Sequence, residues 1–579
     1  RWVGPGFRPE PLEHRFLGHV PAERPAQFLP DSEREHGRFL FEEAACLRCH
    51  KPEKPDAMSK GLAERTGPSL TEFAKRSFPG WLDAWLADPA KLRPHTAMPK
   101  MFAADDTGKA ERFAVVSYLT SLGGKPLEPE RAPALSNEYR QSMERGRVLF
   151  TVTGCAACHT QPQKKADPGV DEREPLKPEE SIYSSGTAAP AVKYALGALG
   201  SKYRVDTLTT YLQNPTKTNP AGRMPHMALA TKEAEDLARY LCRVTDETID
   251  PAMPKSAADP LIVAAAAFRG AKPAEEQAFN KLPLRQQWVE LGRRLIVNKG
   301  CVNCHAVEPG GKPLEAAAKF PSLEAIRKSK SNTCKTPVFS HGKTENAAIA
   351  AFLKDGLTGA GASAPTHAAR ATLRRFNCLN CHAKDGEGGI GTELLEQMRG
   401  MEKAENADAL HPPLLTGIGH KSRTAWLKSV LVQGGKARPW MQLRMPQYGE
   451  ANVGHLPASL AYLEGLTTDD TVHKVSLAQE NVANGKSIVG KGGLGCISCH
   501  DNAGIPNTGT RGPDLATINQ RVRFDWYERW LHQPLRMAPG TRMPQAFVDN
   551  KSTLATGLNG DPKRQAEAMW AYLSLGPGL

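Results

Sequence analysis

Ten of the chain's twelve cysteines fall in five copies of one short pattern, Cys-x-x-Cys-His, and this repeat constrains the fold more than any other feature. The remaining two cysteines are Cys242 and Cys334. The copies are spread along all 579 residues, which is enough chain for several domains at roughly 100–200 residues each. The pattern therefore predicts one copy in each of five domains. The copies begin at Cys46, Cys155, Cys301, Cys378 and Cys496.

The pattern is typical of covalent haem attachment. Two thiols add to the two vinyl groups of one porphyrin, and the histidine that follows is placed under the iron. A redox-active cysteine pair would not need a histidine after every copy. A structural zinc site would need two such pairs within one module, whereas these copies stand far apart. Disulfides between such close thiols would be strained.

The motifs thus predict five haem c cofactors, each with one iron. The thiols predicted to hold them are Cys46, Cys49, Cys155, Cys158, Cys301, Cys304, Cys378, Cys381, Cys496 and Cys499. The histidines predicted to ligate the iron are His50, His159, His305, His382 and His500.

Two helix patterns recur around each motif. A small residue precedes the motif in each copy, and an aromatic residue followed by leucine ends a helix downstream of it. Because a small residue on one helix lets an aromatic side chain on another approach closely, the two helices are predicted to pack together. The small residues are Gly37, Gly146, Gly292, Ala369 and Gly485, and the aromatic residues are Tyr118, Tyr240, Phe352, Tyr462 and Tyr572.

On these motifs the sequence resembles bacterial multidomain c-type cytochromes built of tandem class I cytochrome c modules. The resemblance covers about residues 35–579 and implies a mainly α fold of five tandem helical domains, each wrapping one covalently bound haem. It also implies attachment of haem outside the cytoplasm, hence a periplasmic or otherwise exported protein. The chain starts at Arg1 rather than Met, so we expect that an export signal, an anchor or a further domain preceded it.

Domain boundaries are predicted to fall after the aromatic-leucine helices. The predicted order is an N-terminal arm or linker over 1–34, modules over 35–123 and 139–245, a linker over 246–284, a short atypical module over 285–358, and modules over 364–468 and 476–579.

The resemblance also implies distal iron ligands. Four modules carry a Met-Pro pair ahead of their last helix, and in similar modules this methionine offers its thioether to the iron, while proline helps to hold the loop. The alternative is a methionine that only fills the core. The predicted ligands are Met98, Met224, Met445 and Met543. A further proline, which packs beside the proximal histidine in the family, recurs at Pro68, Pro190, Pro321, Pro413 and Pro513.

The third module departs from this pattern, because Thr336 stands where methionine is expected. The sixth ligand of the third haem is therefore open. Cys334, His341 and Met253 are candidates, and the position could be empty. Cys334 could instead form a disulfide with Cys242 or remain a thiol.

Composition narrows the partners. The longest apolar run, Leu261 to Phe268, is far shorter than the roughly 20 residues of a membrane span, so no transmembrane span is expected. The formal net charge is +13, which the haem propionates would reduce. Lysine and arginine are dispersed and no nucleic-acid motif occurs, so other redox proteins or respiratory complex subunits are the expected partners, in an oligomeric state that the sequence leaves open.

These features predict electron transfer through five haems, by an exported carrier or by a subunit of a respiratory redox complex, with no catalytic residue assigned. The alternative is a multihaem oxidoreductase whose catalytic site is the third haem, at His305, acting for example in sulfur-compound oxidation or peroxide reduction. The sequence favours an electron-transfer protein over a catalyst, and the sixth ligand of that haem discriminates between the two functions.

Overall fold

The structure is a computed structural model. It describes residues 33–54, 59, 61–94, 96–129, 136–160, 193–255, 259–317, 319–329, 338–339, 341–355, 365–402, 410–466, 472–507, 511–538 and 541–578. Almost all of the predicted arm 1–34, together with Pro190, Cys334 and Thr336, lies outside these residues. The described chain forms two compact units, the first between residues 33 and 355 and the second between residues 365 and 578.

Both units are mainly helical, as predicted. The first contains α1 (Glu33–Glu43), α2 (Pro79–Ala87), α3 (Pro89–Leu92), α4 (Asp106–Ser121), α5 (Asn137–Val152), α6 (Cys155–Cys158), α7 (Val205–Gln213), α8 (Pro215–Thr218), α9 (Thr231–Cys242), α10 (Leu261–Ala267), α11 (Pro273–Asn280), α12 (Leu284–Asn298), α13 (Leu323–Lys328) and α14 (Lys343–Asp355).

The second unit contains α15 (Pro365–Arg375), α16 (Thr392–Glu402), α17 (Ile418–Lys421), α18 (Thr424–Gln433), α19 (Glu450–Val453), α20 (Leu456–Leu463), α21 (Gln479–Val489), α22 (Ile518–Arg521), α23 (Phe524–His532), α24 (Pro534–Met537) and α25 (Pro562–Leu573). Within the described residues no helix is both long and apolar enough to cross a bilayer.

Strands are confined to three two-residue pairs. β1 (His159–Thr160) pairs in parallel with β2 (Tyr194–Ala195). β3 (Ala383–Lys384) pairs antiparallel with β4 (Glu387–Gly388), and β5 (Phe547–Val548) pairs antiparallel with β6 (Lys551–Ser552).

Helix starts follow local capping chemistry. The Asp105 carboxylate accepts from the Gly108 amide at 2.8 Å and begins α4, and the Ser136 hydroxyl accepts from the Tyr139 amide at 3.1 Å and begins α5. Such caps satisfy amides that have no partner inside the helix.

Three modules pair their first and last helices within one stretch of chain, as predicted. In the second module α5 crosses α9 so closely that a Cβ on Gly146 would overlap the Asp236 carbonyl and the Tyr240 side chain. In the fifth, Gly485 of α21 meets Ala568 of α25 in the same way. In the fourth, α15 packs on α20.

The first and third modules exchange their first helices, which differs from the predicted order. Helix α12 packs on α4, with Gly292 against the Ala114 carbonyl. Helix α1 packs on α14, with Gly37 against the Ala348 carbonyl. The predicted stretches 35–123 and 285–358 therefore do not each enclose a helix pair, and each supplies one helix to the other.

The apolar cores follow the exchanged pairing. One core contains Leu82 and Leu119 together with Leu295 and Ile296 of α12, and Cys301 packs against it. Trp288 of α12 meets Phe113 of α4 edge-on, with ring centroids 5.0 Å apart. A separate core joins Phe41 of α1 to residues of α13 and α14, which are Leu323, Ile349, Phe352 and Leu353, and Cys46 packs against it.

The predicted linker 246–284 has structure of its own. It contains α10, which coincides with the alanine-rich run, and α11. Val263, Phe268 and Phe279 from this stretch are buried in the same core as α4 and α12. The stretch therefore adds apolar surface next to α12 rather than only connecting modules.

Candidate functional site

All five Cys-x-x-Cys-His motifs adopt one backbone geometry. The first cysteine begins a helical turn, which is α6 in the second motif and a 3₁₀ turn in the others, Cys46–Arg48, Cys301–Asn303, Cys378–Asn380 and Cys496–Ser498. The residue before that cysteine is left-handed in every copy, with φ of 56° at Ala45, 97° at Gly154, 74° at Gly300, 51° at Asn377 and 70° at Gly495. This reversal ends the preceding helix and brings the two thiols into one turn.

Each motif histidine is held through its Nδ1 atom. Nδ1 lies 2.7–3.2 Å from a backbone carbonyl oxygen, which it reaches as a donor. A carbonyl partner at Nδ1 leaves Nε2 as the unprotonated nitrogen, the atom that can ligate a metal. The pairs are His50 with Pro321, His159 with Tyr194, His305 with Pro68, His382 with Pro413 and His500 with Pro513.

Desolvation favours the neutral form of four of these imidazoles. It lowers the pKa of His159 to about 4. It also lowers the pKa of His305, His382 and His500, against the opposing effect of the backbone hydrogen bond. A neutral imidazole is the form that binds iron.

A second backbone bond recurs beside the first. The amide two residues after the proline donates to the carbonyl one residue after the histidine. In the fourth and fifth modules these bonds join Leu415 to Ala383 at 2.8 Å and Leu515 to Asp501 at 3.0 Å. The second module differs: Pro190 lies outside the described residues, and the Tyr194 carbonyl serves His159 through the β1–β2 pair.

In the first and third modules both of these hydrogen bonds run between the two modules rather than within one. Pro68 accepts from His305, and Leu70 donates to Ala306 at 2.8 Å. A Cβ on Gly67 would overlap the His305 ring. The motif of the third module thus sits in the loop of the first.

The reciprocal site is built in the same way. Pro321 accepts from His50 at 2.8 Å, and Leu323 donates to the Lys51 carbonyl at 3.1 Å. Phe320 lies edge-on to the His50 ring, with centroids 6.4 Å apart. The Cys-x-x-Cys-His turn of each module therefore packs on the proline loop of the other module.

Three of the predicted methionines pack on the same apolar cores as motif cysteines. Met98 packs on the core that Cys301 joins, and Trp85 Nε1 lies 2.9 Å from its Sδ atom. Met445 packs on the same core as Cys378, and Met543 on the same core as Cys496. Met98 is thus grouped with the third motif, not with the first as the order of the sequence predicts.

In the first unit, three motifs open on one continuous cavity of about 1270 Å³. Its walls include all three motif histidines, His50, His159 and His305, and the methionines Met98 and Met224. This exceeds the roughly 300–1,000 Å³ of an ordinary ligand pocket, so the cavity has room for more than one large group.

Of the candidate sixth ligands of the third haem, the structure describes His341 but not Cys334. His341 lines the cavity, and its ring stacks on Phe339 with centroids 5.6 Å apart. The short stretch before it is fixed by an antiparallel bridge between Val338 and Lys100, two residues beyond Met98.

Sequence reasoning missed two lysines beside these sites. Lys202 lines the cavity with its Nζ 4.1 Å from the centre of the Trp81 ring, and Lys421 in the second unit lies 5.0 Å from that of Trp526. Among the described residues, no carboxylate forms an ion pair with either. Desolvation, reinforced by nearby arginines, lowers the pKa of Lys202 to about 7 and that of Lys421 to about 8.

A signal for these cations exists in the sequence. A basic residue stands five positions before the tryptophan of the middle helix in three modules: Arg76 before Trp81, Lys421 before Trp426 and Arg521 before Trp526. Lys202 holds the matching place in the second module.

These features fit a haem. Paired thiols, an imidazole with a free Nε2 and a thioether supply the covalent links and axial ligands of haem c. The two half-buried lysines suit propionate carboxylates, since neither forms an ion pair with a carboxylate among the described residues. The buried Tyr527 hydroxyl, which finds no hydrogen-bond partner among the described residues, lies in the core that Cys496 joins and can serve a polar group there.

A mainly helical chain with these turns has the characteristics of a protein that carries haem covalently. Residues 143–245, which contain the second motif, match the cytochrome c family. This match supports a c-type cytochrome with covalently bound haem and a role in haem-based electron transfer. Comparison with curated proteins and with solved structures finds no significant match.

Proposed function

We propose that the protein transfers electrons through five covalently bound haem c groups. The observation that carries this proposal is the repeated geometry of the five motifs. Each has a left-handed residue before the first cysteine, a helical turn across the two thiols and an imidazole oriented by a backbone carbonyl. The family match covers one of these motifs, and the other four share its backbone geometry.

The chain's own residues have distinct tasks. The ten motif cysteines hold the haems and the five motif histidines ligate iron, while Met98, Met224, Met445 and Met543 fill the opposite faces. A haem supplies the one-electron chemistry of its iron, and a methionine opposite the histidine keeps the reduction potential high. The shared cavity of the first unit supports close approach of three haems, which electron relay requires.

The haem attachment chemistry also supports an exported protein, and the formal charge of +13 favours acidic redox partners or the acidic face of a respiratory complex.

The structure gives less support to the alternative of a catalytic haem at His305. It relied on the absence of a methionine for that haem. Because Met98 packs on the core that Cys301 joins, and Pro68 of the same segment orients His305, the third motif has a thioether available.

Haem counting tests the proposal. The protein would be produced with a cytochrome c maturation system and its intact mass measured under denaturing conditions, with pyridine haemochrome absorbance as a second count. We expect five covalent haems. Replacing both cysteines of one motif by alanine should remove one haem, whereas replacing Cys242 by alanine, the matched control outside the motifs, should remove none. A count below five in the unaltered protein would refute the proposal.

A further inference from the structure

We infer that the two exchanged modules have exchanged their axial ligands, so that His305 and Met98 ligate one iron while His50 and His341 ligate another. This inference rests on the proposed haem binding. It assigns the site without methionine to the first motif, although the order of the sequence assigns it to the third.

The pairing of His305 with Met98 follows from three independent contacts. The Pro68 carbonyl orients the His305 ring, and Leu70 pairs with Ala306. Helix α12 leads into the third motif, and α4 follows Met98 in the chain. These two helices pack together. Residues 66–121 therefore supply the carbonyl that orients His305 and the helix that packs on α12. Met98 is the methionine of that segment that precedes a proline, and it packs on the core that Cys301 joins.

The first motif meets a different segment. Pro321 orients His50, Leu323 pairs with Lys51, and α1 packs on α14. The core around Cys46 joins Phe41, Leu47 and Leu62 to residues of α13 and α14. Because Thr336 takes the methionine position of that segment, this site needs another ligand.

His341 meets the requirements for that ligand. It lines the same cavity as His50 and precedes α14, as the methionine precedes the last helix elsewhere. Among the described residues its ring nitrogens have no hydrogen-bond partner, and the bridge of Val338 to Lys100 holds the chain just before it. The proposed haem of the first motif is then ligated by two histidines, and the remaining four by histidine and methionine.

Cross-linking tests the pairing without reference to haem. Lys299, just after α12, lies 2.9 Å from Glu111 of α4. Glu345 of α14 occupies the position that corresponds to Glu111 of α4. Glu111 lies three residues before Ala114, whose carbonyl meets Gly292, and Glu345 lies three residues before Ala348, whose carbonyl meets Gly37. Modules in sequence order would bring Lys299 to Glu345 instead.

The experiment uses a zero-length carbodiimide on the monomeric protein, followed by peptide mass spectrometry. We expect a Lys299–Glu111 link that Glu111→Gln removes and that the matched Glu345→Gln leaves in place. A Lys299–Glu345 link would overturn the inference, and so would a Lys299–Glu111 link that forms only in dimers.

Electron paramagnetic resonance of the oxidised protein tests the ligands. We expect one low-spin signal of the bis-histidine type. It should disappear in the double variant Cys46→Ala/Cys49→Ala and persist in the matched variant Cys301→Ala/Cys304→Ala, which should instead lose one histidine-methionine signal. His341→Ala should convert the bis-histidine signal to high spin, and His341→Met should raise the potential of that haem.

Three spectroscopic results would overturn the inference. These are loss of the bis-histidine signal in the Cys301→Ala/Cys304→Ala variant, a high-spin haem in the unaltered protein, and a thiolate signal that Cys334→Ala removes. A protein without haem would refute the proposed function instead, and the Lys299 cross-link would still report the pairing.

Discussion

Lys202 is a cation that the polypeptide alone does not neutralise. Desolvation, with Arg93 and Arg76 nearby, lowers the pKa of Lys202 to about 7. The fold therefore disfavours the protonated, positively charged form of this side chain. Residues that resist their own charge without a partner are typical of sites that bind a group of opposite sign. We expect this group to be a propionate of one of the proposed haems.

Replacing this lysine should change a reduction potential. A nearby positive charge favours the reduced iron, so Lys202→Met should lower the midpoint potential of at least one haem by roughly 50 mV, about 1 kcal/mol at an effective dielectric constant near 20. Spectroelectrochemical titration at neutral pH would measure it.

Two controls separate charge from packing. Lys202→Arg keeps the charge and should leave the potentials almost unchanged. Lys109→Met removes an exposed lysine that pairs with Asp106, and should also have little effect. Unchanged potentials in Lys202→Met would contradict the role given to this cation.

Asp236 carries a pH-dependent share of stability in the second module. Burial disfavours its charge, yet hydrogen bonds from Arg145 and Ser142 outweigh burial and lower its pKa. A lowered pKa in the folded state means stability that is present above the unfolded value of about 4 and is lost as pH falls through the folded value.

Asp236→Asn should therefore cost about 1–3 kcal/mol at pH 7. The difference from the unaltered protein should shrink below pH 4, as the native carboxylate becomes protonated. Thermal unfolding across this pH range measures both effects. Glu235→Gln, on the same helix but more exposed, should cost less than about 1 kcal/mol. A cost for Asp236→Asn that does not change with pH would exclude the carboxylate as its source.

At the scale of elements, the recurring glycines set how closely two helices approach. Gly146→Ala places a methyl group against the Asp236 carbonyl and Tyr240, and should cost about 1–3 kcal/mol because the backbones must separate. Gly400→Ala in α16 is the matched control: a Cβ there meets nothing within 4 Å, so helix propensity alone should stabilise it by up to about 1 kcal/mol. Chemical denaturation compares the two, and equal effects would show that the crossing tolerates a methyl group.

The same glycines explain what the sequence predicts and what it does not. Gly37 and Gly292 correctly predict helices that cross an aromatic partner. Gly37 meets Ala348 and Gly292 meets Ala114, each four residues before the aromatic residue of the partner helix, so the two crossings have the same register. Local sequence thus predicts that a close helix crossing forms, but not which helix is the partner.

The choice of partner helix depends on contacts made by residues outside the repeated pattern. Lys299 pairs with Glu111, and Arg294 of α12 pairs with Glu275 of α11. Phe279 of α11 lies in the core that α4 and α12 share. Glu275 and Phe279 lie in the stretch 246–284 that the sequence predicts to be a linker, so their contribution is visible only in the fold. Likewise, the left-handed conformation of Ala45 carries no signal in residue type, whereas asparagine at position 377 is compatible with it.

At the scale of the whole molecule, the exchange ties the first unit together from both ends. The chain before residue 124 contains α1 and α4, and the chain after it contains their partners, α14 and α12. Neither exchanged module can form from one side of this point alone. Residues 143–245, which match the cytochrome c family, lie in the chain between the two halves of the exchange.

Cutting the chain at this point distinguishes the exchange from modules in sequence order. A protease site inserted after the exposed Lys125 should give two fragments that co-elute as one species in native size exclusion. They should stay together at about 1 M salt, because the apolar cores that join them are not screened, and separate in urea. Modules in sequence order would instead leave residues 1–125 as a self-contained domain that elutes on its own. The same insertion left uncut controls for its effect on folding. Release of the short fragment under native conditions would contradict the exchanged fold, in which α12 packs on α4 and α1 packs on α14.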